Sequence, residues 1–408
     1  MKSKNEVMSR FDRDVCICDT TIRDSENASG VVLSMTEKYK LAKLIDKTCV
    51  SQIDVGMPSI GIEEKKTVKR IARMGLEASV MASNRAEISD INDSLSCDVD
   101  SVSIALPVSE ILYENRYGEN SEWVLDKIFE SVEYANSHGL YTSCVLEDAG
   151  RASLSFLVNC AMNAKQANAD RIVYCDSIGV GEPFDTFERV KVLKQATDMD
   201  IEIQARNDFG MATANSLAGI KAGAKFVGAS IMGIGARAGN APLEEVALIA
   251  EEKLGIDTKI DLPALRNVAT ALSKSSGRRI WESKPIFGSG CFAQETGITA
   301  DGNSTTGGIM EAYDPFLVGG HREIVLGKHS NVESVIAVLK QQGQEIDPDQ
   351  AEKLTEMVKR NASDLHRCLS TDDLLELFQD LVDDQLFDEE PEEEDEDIVQ
   401  IGDSDDSE

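Results

Sequence analysis

Groups able to do chemistry concentrate in two stretches, Asp19-Thr-Thr-Ile-Arg23-Asp24-Ser-Glu26-Asn27 and Gln204-Ala-Arg206-Asn207-Asp208-Phe-Gly210. Both combine guanidinium, carboxylate and amide groups, so that if the fold opposes them they are two halves of one charged pocket. Imidazole is scarce: the chain holds four histidines, and neither stretch contains one. His138 precedes Gly139 at a helix end, and His321, His329 and His366 lie in the C-terminal region. The nine cysteines are scattered without a Cys-x-x-Cys pair, and Cys16 and Cys18 share one face of a strand, where a free cysteine is an ordinary core residue. No soft-ligand metal centre is expected from them.

Each apolar run ends in something reactive or sharply turning: Arg23-Asp24, Asp54-Val-Gly56, Ser83-Asn84-Arg85, Pro107, Glu147-Asp148, Asp176-Ser177, Asn207-Asp208 and Gly233. A lone carboxylate in such a place is most simply a helix N-cap, and Asp176 is expected to be one. Arg, Asp, Glu and Asn gathered on six ends point instead to a shared pocket.

The elements that must position these groups are short Val- and Ile-rich runs. They are expected as strands at Val15–Ile22, Gln52–Val55, Ala78–Ala82, Val102–Leu106, Thr142–Leu146, Arg171–Cys175, Ile201–Ala205 and Phe226–Ile231. Helix-period segments separate them; the first opens with Ser34 and Glu37 as a capping box and continues with Tyr39, Leu41, Leu44 and Ile45 as an apolar stripe. Eight such alternations predict an α/β fold, a closed (β/α)8 TIM barrel whose strand ends converge on one functional face. The barrel domain is expected over 1–256 and a helical C-terminal and lid region over 257–386, with helices at Leu262–Ser276, Gln350–Lys359 and Leu374–Leu386. Within it Gly288–Gly308, rich in Gly, Ser and Thr, reads as a long ordered loop or lid.

From Asp383 to Glu408 there are fifteen acidic residues and no Lys or Arg, so residues 387–408 are expected as a disordered acidic tail. Removing those fifteen charges from the net −32 leaves −17 on the body. That sign argues against nucleic acid and anionic membrane surfaces as partners. The polar start, the lack of an apolar run of bilayer length and the unpaired cysteines imply a cytoplasmic protein.

Ordered motifs then carry a resemblance. They are Asp19-Thr-Thr-Ile-Arg-Asp24, Asp54-Val-Gly-Met-Pro58, Leu106-Pro-Val-Ser109, Glu147-Asp-Ala-Gly-Arg-Ala152, Asp176-Ser-Ile-Gly179, Asn207-Asp-Phe-Gly-Met-Ala-Thr-Ala-Asn215, Gly233-Ile-Gly-Ala-Arg-Ala-Gly-Asn240 and Gly327-Lys-His-Ser330. From about Val15 to about Leu377 the chain resembles the homocitrate, isopropylmalate and citramalate synthases, relatives of hydroxymethylglutaryl-CoA lyase. The likeness is strongest to the short homocitrate synthases that serve nitrogenase cofactor assembly. The resemblance implies a metal-dependent Claisen condensation: the enolate of acetyl-CoA attacks the ketone of a 2-oxo acid, and hydrolysis releases CoA. It also implies a homodimer.

The family's metal ligands map to Asp24, Gln204, Arg206 and Asn240, with the two histidines of its His-x-His pair replaced by Gln204 and Arg206. A guanidinium stays protonated and cannot ligate, so no metal cofactor is expected, and Arg206 is expected to face Asp24. The family's lid motif His-Glu-Ser-Gly-Ile-His becomes Gln294-Glu-Thr-Gly-Ile-Thr299, which removes both lid imidazoles. Its Gly-Glu-Arg becomes Gly235-Ala-Arg237, and a usual tyrosine is Met310, with Tyr313 nearby. By resemblance Arg23 and Glu147 hold the catalytic positions, and Arg23, Glu26, Arg151, Ser177, Arg206 and Arg237 line a substrate site. The combined losses imply a pseudoenzyme that binds a 2-oxo acid or dicarboxylate, as a homodimer or in a hetero-oligomer with a paralogue. The alternative is an active acyltransferase or aldol-type enzyme in which Arg206 replaces the metal and Glu147 is the base.

Overall fold

The structure, a computed structural model, describes residues 1–296 and 311–388, with side chains to residue 383. Eight parallel strands close into a barrel in chain order: β1 Cys16–Asp19, β2 Gln52–Asp54, β3 Ser79–Arg85, β4 Ser101–Pro107, β5 Tyr141–Glu147, β6 Arg171–Asp176, β7 Asp200–Ala205 and β8 Phe226–Ala229. Closure runs through β1, where Cys18 pairs with Gln52 on one side and Gly228 on the other. The expected TIM barrel is therefore the fold.

β2 ends one residue earlier than expected, at Asp54, and two strands are shorter by more, for local reasons. β1 stops at Asp19 because that carboxylate accepts the Thr21 N–H (2.9 Å) and the Thr21 hydroxyl (2.8 Å), turning the chain directly into the helix Thr21–Asn27. Arg23 and Asp24 consequently ride on a helix over the barrel mouth and do not end a strand. β8 stops at Ala229 and gives way to the single turn Ile231–Gly233. The helix Met35–Asp46 opens with the expected capping box: Ser34 accepts from Glu37 N–H, and the Glu37 side chain accepts from Ser34 N–H.

The far end of the barrel is sealed by the N-terminal segment. The helix Lys4–Ser9 buries Val7, and Phe11 packs edge-on against Tyr141 and Phe226, with ring centroids 5.1 and 4.9 Å apart. The guanidinium of Arg171, fully buried, lies 4.3 Å from the Phe226 ring and pairs with Glu202 at 3.1 Å. It also donates to the Gln52 side chain at 2.7 Å. Few of the family-like motifs touch this layer, and sequence patterning gave no sign of it.

Two compact units divide the chain. The barrel unit runs from Met1 to Cys291 and takes back Tyr313–His321; the rest of the described chain from Phe292 onward forms the second. The helix Leu262–Ser276, which follows the expected boundary at 256, buries Leu265, Val268, Ala269 and Leu272 and packs on Met35–Asp46. In the second unit the helices Val332–Gln341, Pro348–Leu365 and Thr371–Asp388 enclose a core of Val335, Leu339, Leu354, Val358 and Leu374. The acidic tail beyond residue 388 lies outside the described residues. Among the described residues no helix is long and apolar enough to cross a membrane.

Candidate active site

Strand alternation decides what faces the barrel interior. On β7, Ile203 points outward, so close to the helix Ala212–Lys221 that a Cβ on Gly219 would meet it at 2.8 Å. Glu202 and Gln204 therefore point inward, and both line a small interior space with Arg23, Asp54, Ser103 and Arg171. Arg206 is next in the inward series. Its Nη1 donates to Asn240 Oδ1 at 2.5 Å and its Nη2 to Asp24 Oδ1 at 3.3 Å. Asn240 Nδ2 donates to Asp24 Oδ2 at 2.7 Å, which closes a triangle of three side chains from three parts of the chain.

The loop after β8 delivers Asn240. Its backbone bridges to Arg206 across the mouth. Gly239 holds φ +90°, and a Cβ there would sit 2.0 Å from the Gly233 carbonyl oxygen, so no other residue fits. A Cβ on Gly235 would lie 3.0 Å from Arg206 Nη1, so this loop closes directly over the guanidinium.

Asp24 is fully buried and accepts two further donors, Arg23 Nη2 and Asn27 Nδ2, both at 3.1 Å. Burial alone would push its carboxyl up, but Arg23 and Arg206 outweigh that and hold it well below the usual carboxylate range. Arg23 also lies 3.2 Å from Asp54, whose carboxyl burial pushes up against the pull of Arg23, and donates to Ser83 Oγ at 3.3 Å. Two guanidiniums and two carboxylates thus neutralise one another at the centre of the mouth.

A divalent ion does not fit this donor set. Arg206 cannot ligate, and it occupies with hydrogen bonds the oxygens of Asp24 and Asn240 that an ion would need. Gln204 lines the space below and takes no part in those bonds. Among the described residues no group of three His, Cys, Asp or Glu side chains converges in a way that could hold a metal ion.

The remaining expected residues divide into near and far. Glu147, at the end of β5, stands in register with Cys175; its carbonyl accepts the Val108 N–H at 2.9 Å, while its carboxylate has no hydrogen bond among the described residues. Burial raises its pKa, Arg116 and Arg206 lower it and Asp148 raises it further. Ser177 has a buried hydroxyl without a partner, while its carbonyl accepts Arg237 Nη2 at 2.8 Å. Arg237 is held by a two-point pair with Asp208, at 2.7 and 2.8 Å. Arg151 is committed to Asp148, at 2.9 Å from Nε. Glu26 faces away to Lys38 at 2.6 Å, a lysine only 3% exposed that also pairs with Glu64.

Asp176 is no helix cap. It accepts the backbone N–H groups of Gly179, Val180 and Gly181, while Glu182 caps the helix Pro183–Thr197. Gln294 belongs to the second unit, in a two-residue strand paired with Glu323–Ile324, and Thr299 lies outside the described residues. Sequence reasoning missed two partners of the centre, Asp54 as an ion-pair partner of Arg23 and Asn27 as a donor to Asp24. Both stand in the motifs already singled out, and their spacing carried the available signal.

A closed (β/α)8 barrel with an Asp–Arg–Asn cluster at its mouth defines the class, and comparison with known proteins supplies the family. Residues 14–272 match the HMGL-like family model. The chain is 43% identical over 371 residues to a 2-isopropylmalate synthase 2 of Caldanaerobacter subterraneus, covering 91% of this chain and 97% of that one. It is 38% identical to homocitrate synthase 1 of a Nostoc species, covering 90% and 97%. A homocitrate synthase of Methanopyrus kandleri is 35% identical, covering 85% and 87%. The chain belongs to the HMGL-like family, among the isopropylmalate, homocitrate and citramalate synthases. The likeness extends to all three kinds and does not single out the homocitrate synthases. Solved structures agree on the fold: HMG-CoA lyase of Bacillus subtilis superposes with a TM-score of 0.60 at 16% identity, over 66% of this chain and 95% of that one. The lyase of Pseudomonas aeruginosa gives 0.58 at 18%, over 64% and 93%.

Proposed function

We propose that this protein is a non-catalytic member of its family, whose barrel mouth binds a 2-oxo acid or dicarboxylate without a metal ion. The observation that carries the reading is Arg206 hydrogen-bonded to both Asp24 and Asn240. A Lewis acid in this family would polarise the ketone and template the acid. Here the positive charge is built into the polypeptide and already neutralised by Asp24. The replacement of a lid imidazole by Gln294 supports the same reading, since an amide cannot carry a proton at neutral pH. The protein works as a homodimer or beside an active paralogue. The nine free thiols suit a cytoplasmic setting.

A second reading is favoured by one feature. The Glu147 carboxyl has a raised pKa, no partner among the described residues and Arg206 nearby, the arrangement of a carboxylate poised as a base beside a fixed electrophile. Thiol release from acetyl-CoA with a panel of 2-oxo acids separates the two. The first reading expects no turnover above background and saturable calorimetric binding of at least one acid, weakened in Arg206→Ala. A robust rate abolished by Arg206→Ala replaces it with the second.

A further inference from the structure

The second unit holds a recess of its own, about 530 Å³ in volume and lined by residues of that unit alone. That volume lies within the range of small-molecule sites. Two turns wall it. One is Gly327-Lys-His-Ser330, just after the strand Glu323–Ile324; the other is His366-Arg-Cys368, after the helix Pro348–Leu365. The Leu369 N–H donates to the Leu326 carbonyl at 2.8 Å, and this bridge holds the two turns side by side. Glu295 ties them from below. Its carboxylate accepts the His329 N–H at 2.9 Å and the Cys368 thiol at 3.7 Å, and a Cβ on Gly327 would lie 2.8 Å from it. The one carboxylate of the lining is thereby committed to a backbone amide and a thiol.

What remains of the lining is basic. Lys328, His329 and His366 are exposed, and their side chains have no hydrogen bond or ion pair among the described residues. Arg367 is neutralised by Asp373, through two bonds of 2.7 and 2.9 Å. The helix dipole accounts for His366 and Arg367, which follow the C-terminus of Pro348–Leu365. It does not account for Lys328 and His329 on the other turn. His366 also holds φ 51°, the left-handed cap position where glycine is the ordinary residue, so backbone preference does not select an imidazole there. Two of the chain's four histidines and an unpaired lysine thus meet at one recess, in a chain of net charge −32.

We propose that this recess binds a compact oxyanion carrying two negative charges, held by the Lys328 ammonium and the His329 and His366 imidazoles. Ammonium and imidazole groups donate strong, charge-assisted hydrogen bonds to carboxylate and phosphate oxygens. Donors on two separate turns suit an anion with oxygens on more than one side, which a monocarboxylate lacks. The anion can be a dicarboxylate or a phosphate, and the two share this chemistry. No contact in the recess involves the barrel mouth, so the site stands or fails apart from the function proposed above.

The histidines report on the site directly. With four in the full chain, their ring resonances can be assigned by NMR using His329→Gln and His366→Gln. Titration with inorganic phosphate and with succinate, at constant pH and ionic strength, should move the His329 and His366 signals along saturable curves. His138 and His321 belong to the barrel unit and should stay in place. Saturation by both anions identifies the shared chemistry; saturation by one alone assigns the site to phosphates or to dicarboxylates. Acetate should not saturate. Lys328→Ala should weaken binding about tenfold while thermal unfolding stays unchanged. Arg206→Ala should leave the curves unaltered, and a change there would assign the signal to the mouth and overturn the proposal. So would the absence of a saturable shift at millimolar anion, or an affinity untouched by Lys328→Ala.

Discussion

Two arginines are held inside the same barrel, and they behave differently. At the closed end Arg171 is fully buried, paired with Glu202, bonded to Gln52 and boxed by the rings of Phe11, Tyr141 and Phe226. At the open end Arg206 is 12% exposed, shares Asp24 with three other donors and has an Nε without a partner. The first is locked by packing from every side, so it belongs to the scaffold. The second is tied by hydrogen bonds to a carboxylate and an amide beneath a glycine-rich loop, and it retains donors to spare. A buried cation can be structural or ligand-facing, and what distinguishes the two is whether its hydrogen-bonding capacity is used up.

Removing each partner sharpens the contrast. Arg171→Ala leaves Glu202 buried and uncompensated, and urea unfolding should show a loss of about 3–5 kcal/mol. A loss below about 1 kcal/mol would make this pair dispensable and erase the distinction. Arg206→Ala leaves Asp24 with Arg23, Asn27 and Asn240, so the same measurement should show only about 1–3 kcal/mol.

That smaller loss should depend on pH. The Asp24 pKa lies below its unfolded value of about 3.9, so its ion pairs stabilise the fold above that pH and fade as pH falls through the lower, native value. The difference between wild type and Arg206→Ala should therefore be full at pH 7 and shrink progressively below about pH 4. A difference independent of pH would mean that Arg206 acts through packing alone. Least affected should be Glu26→Gln, because Lys38 keeps Glu64 and the exposed half of that network contributes about 0–1 kcal/mol.

Much of this contrast was readable from residue types. Eight Val- and Ile-rich runs marked the barrel because parallel strands covered on both faces need apolar residues on both. The pairing of Arg206 with Asp24 followed from their equivalence to positions in related chains. Other features were decided by contacts remote in sequence. Arg171 looked like an ordinary strand start, since nothing local announces that Phe11, some 160 residues earlier, will cover it. Asp176 had the residue type of a helix cap, yet the glycine-containing turn after it offered three amides first. Glu26 shares a motif with Asp24, but two residues on a helix are roughly 200° apart, which sends its side chain to Lys38. Arg23 and Asp24 were expected on a strand end and sit on a helix because the Asp19 side chain ends the strand early.

The central claim is that a fixed guanidinium stands at the position where the family resemblance implies an exchangeable ion. Elemental analysis after loading with zinc or manganese and gel filtration tests it most directly, on the wild-type protein beside the double variant Gln204→His and Arg206→His. The account predicts substoichiometric metal in the wild type and a full equivalent in the variant, with little thiol release from either. A full equivalent in the wild-type protein, lost on Asp24→Asn, would contradict it.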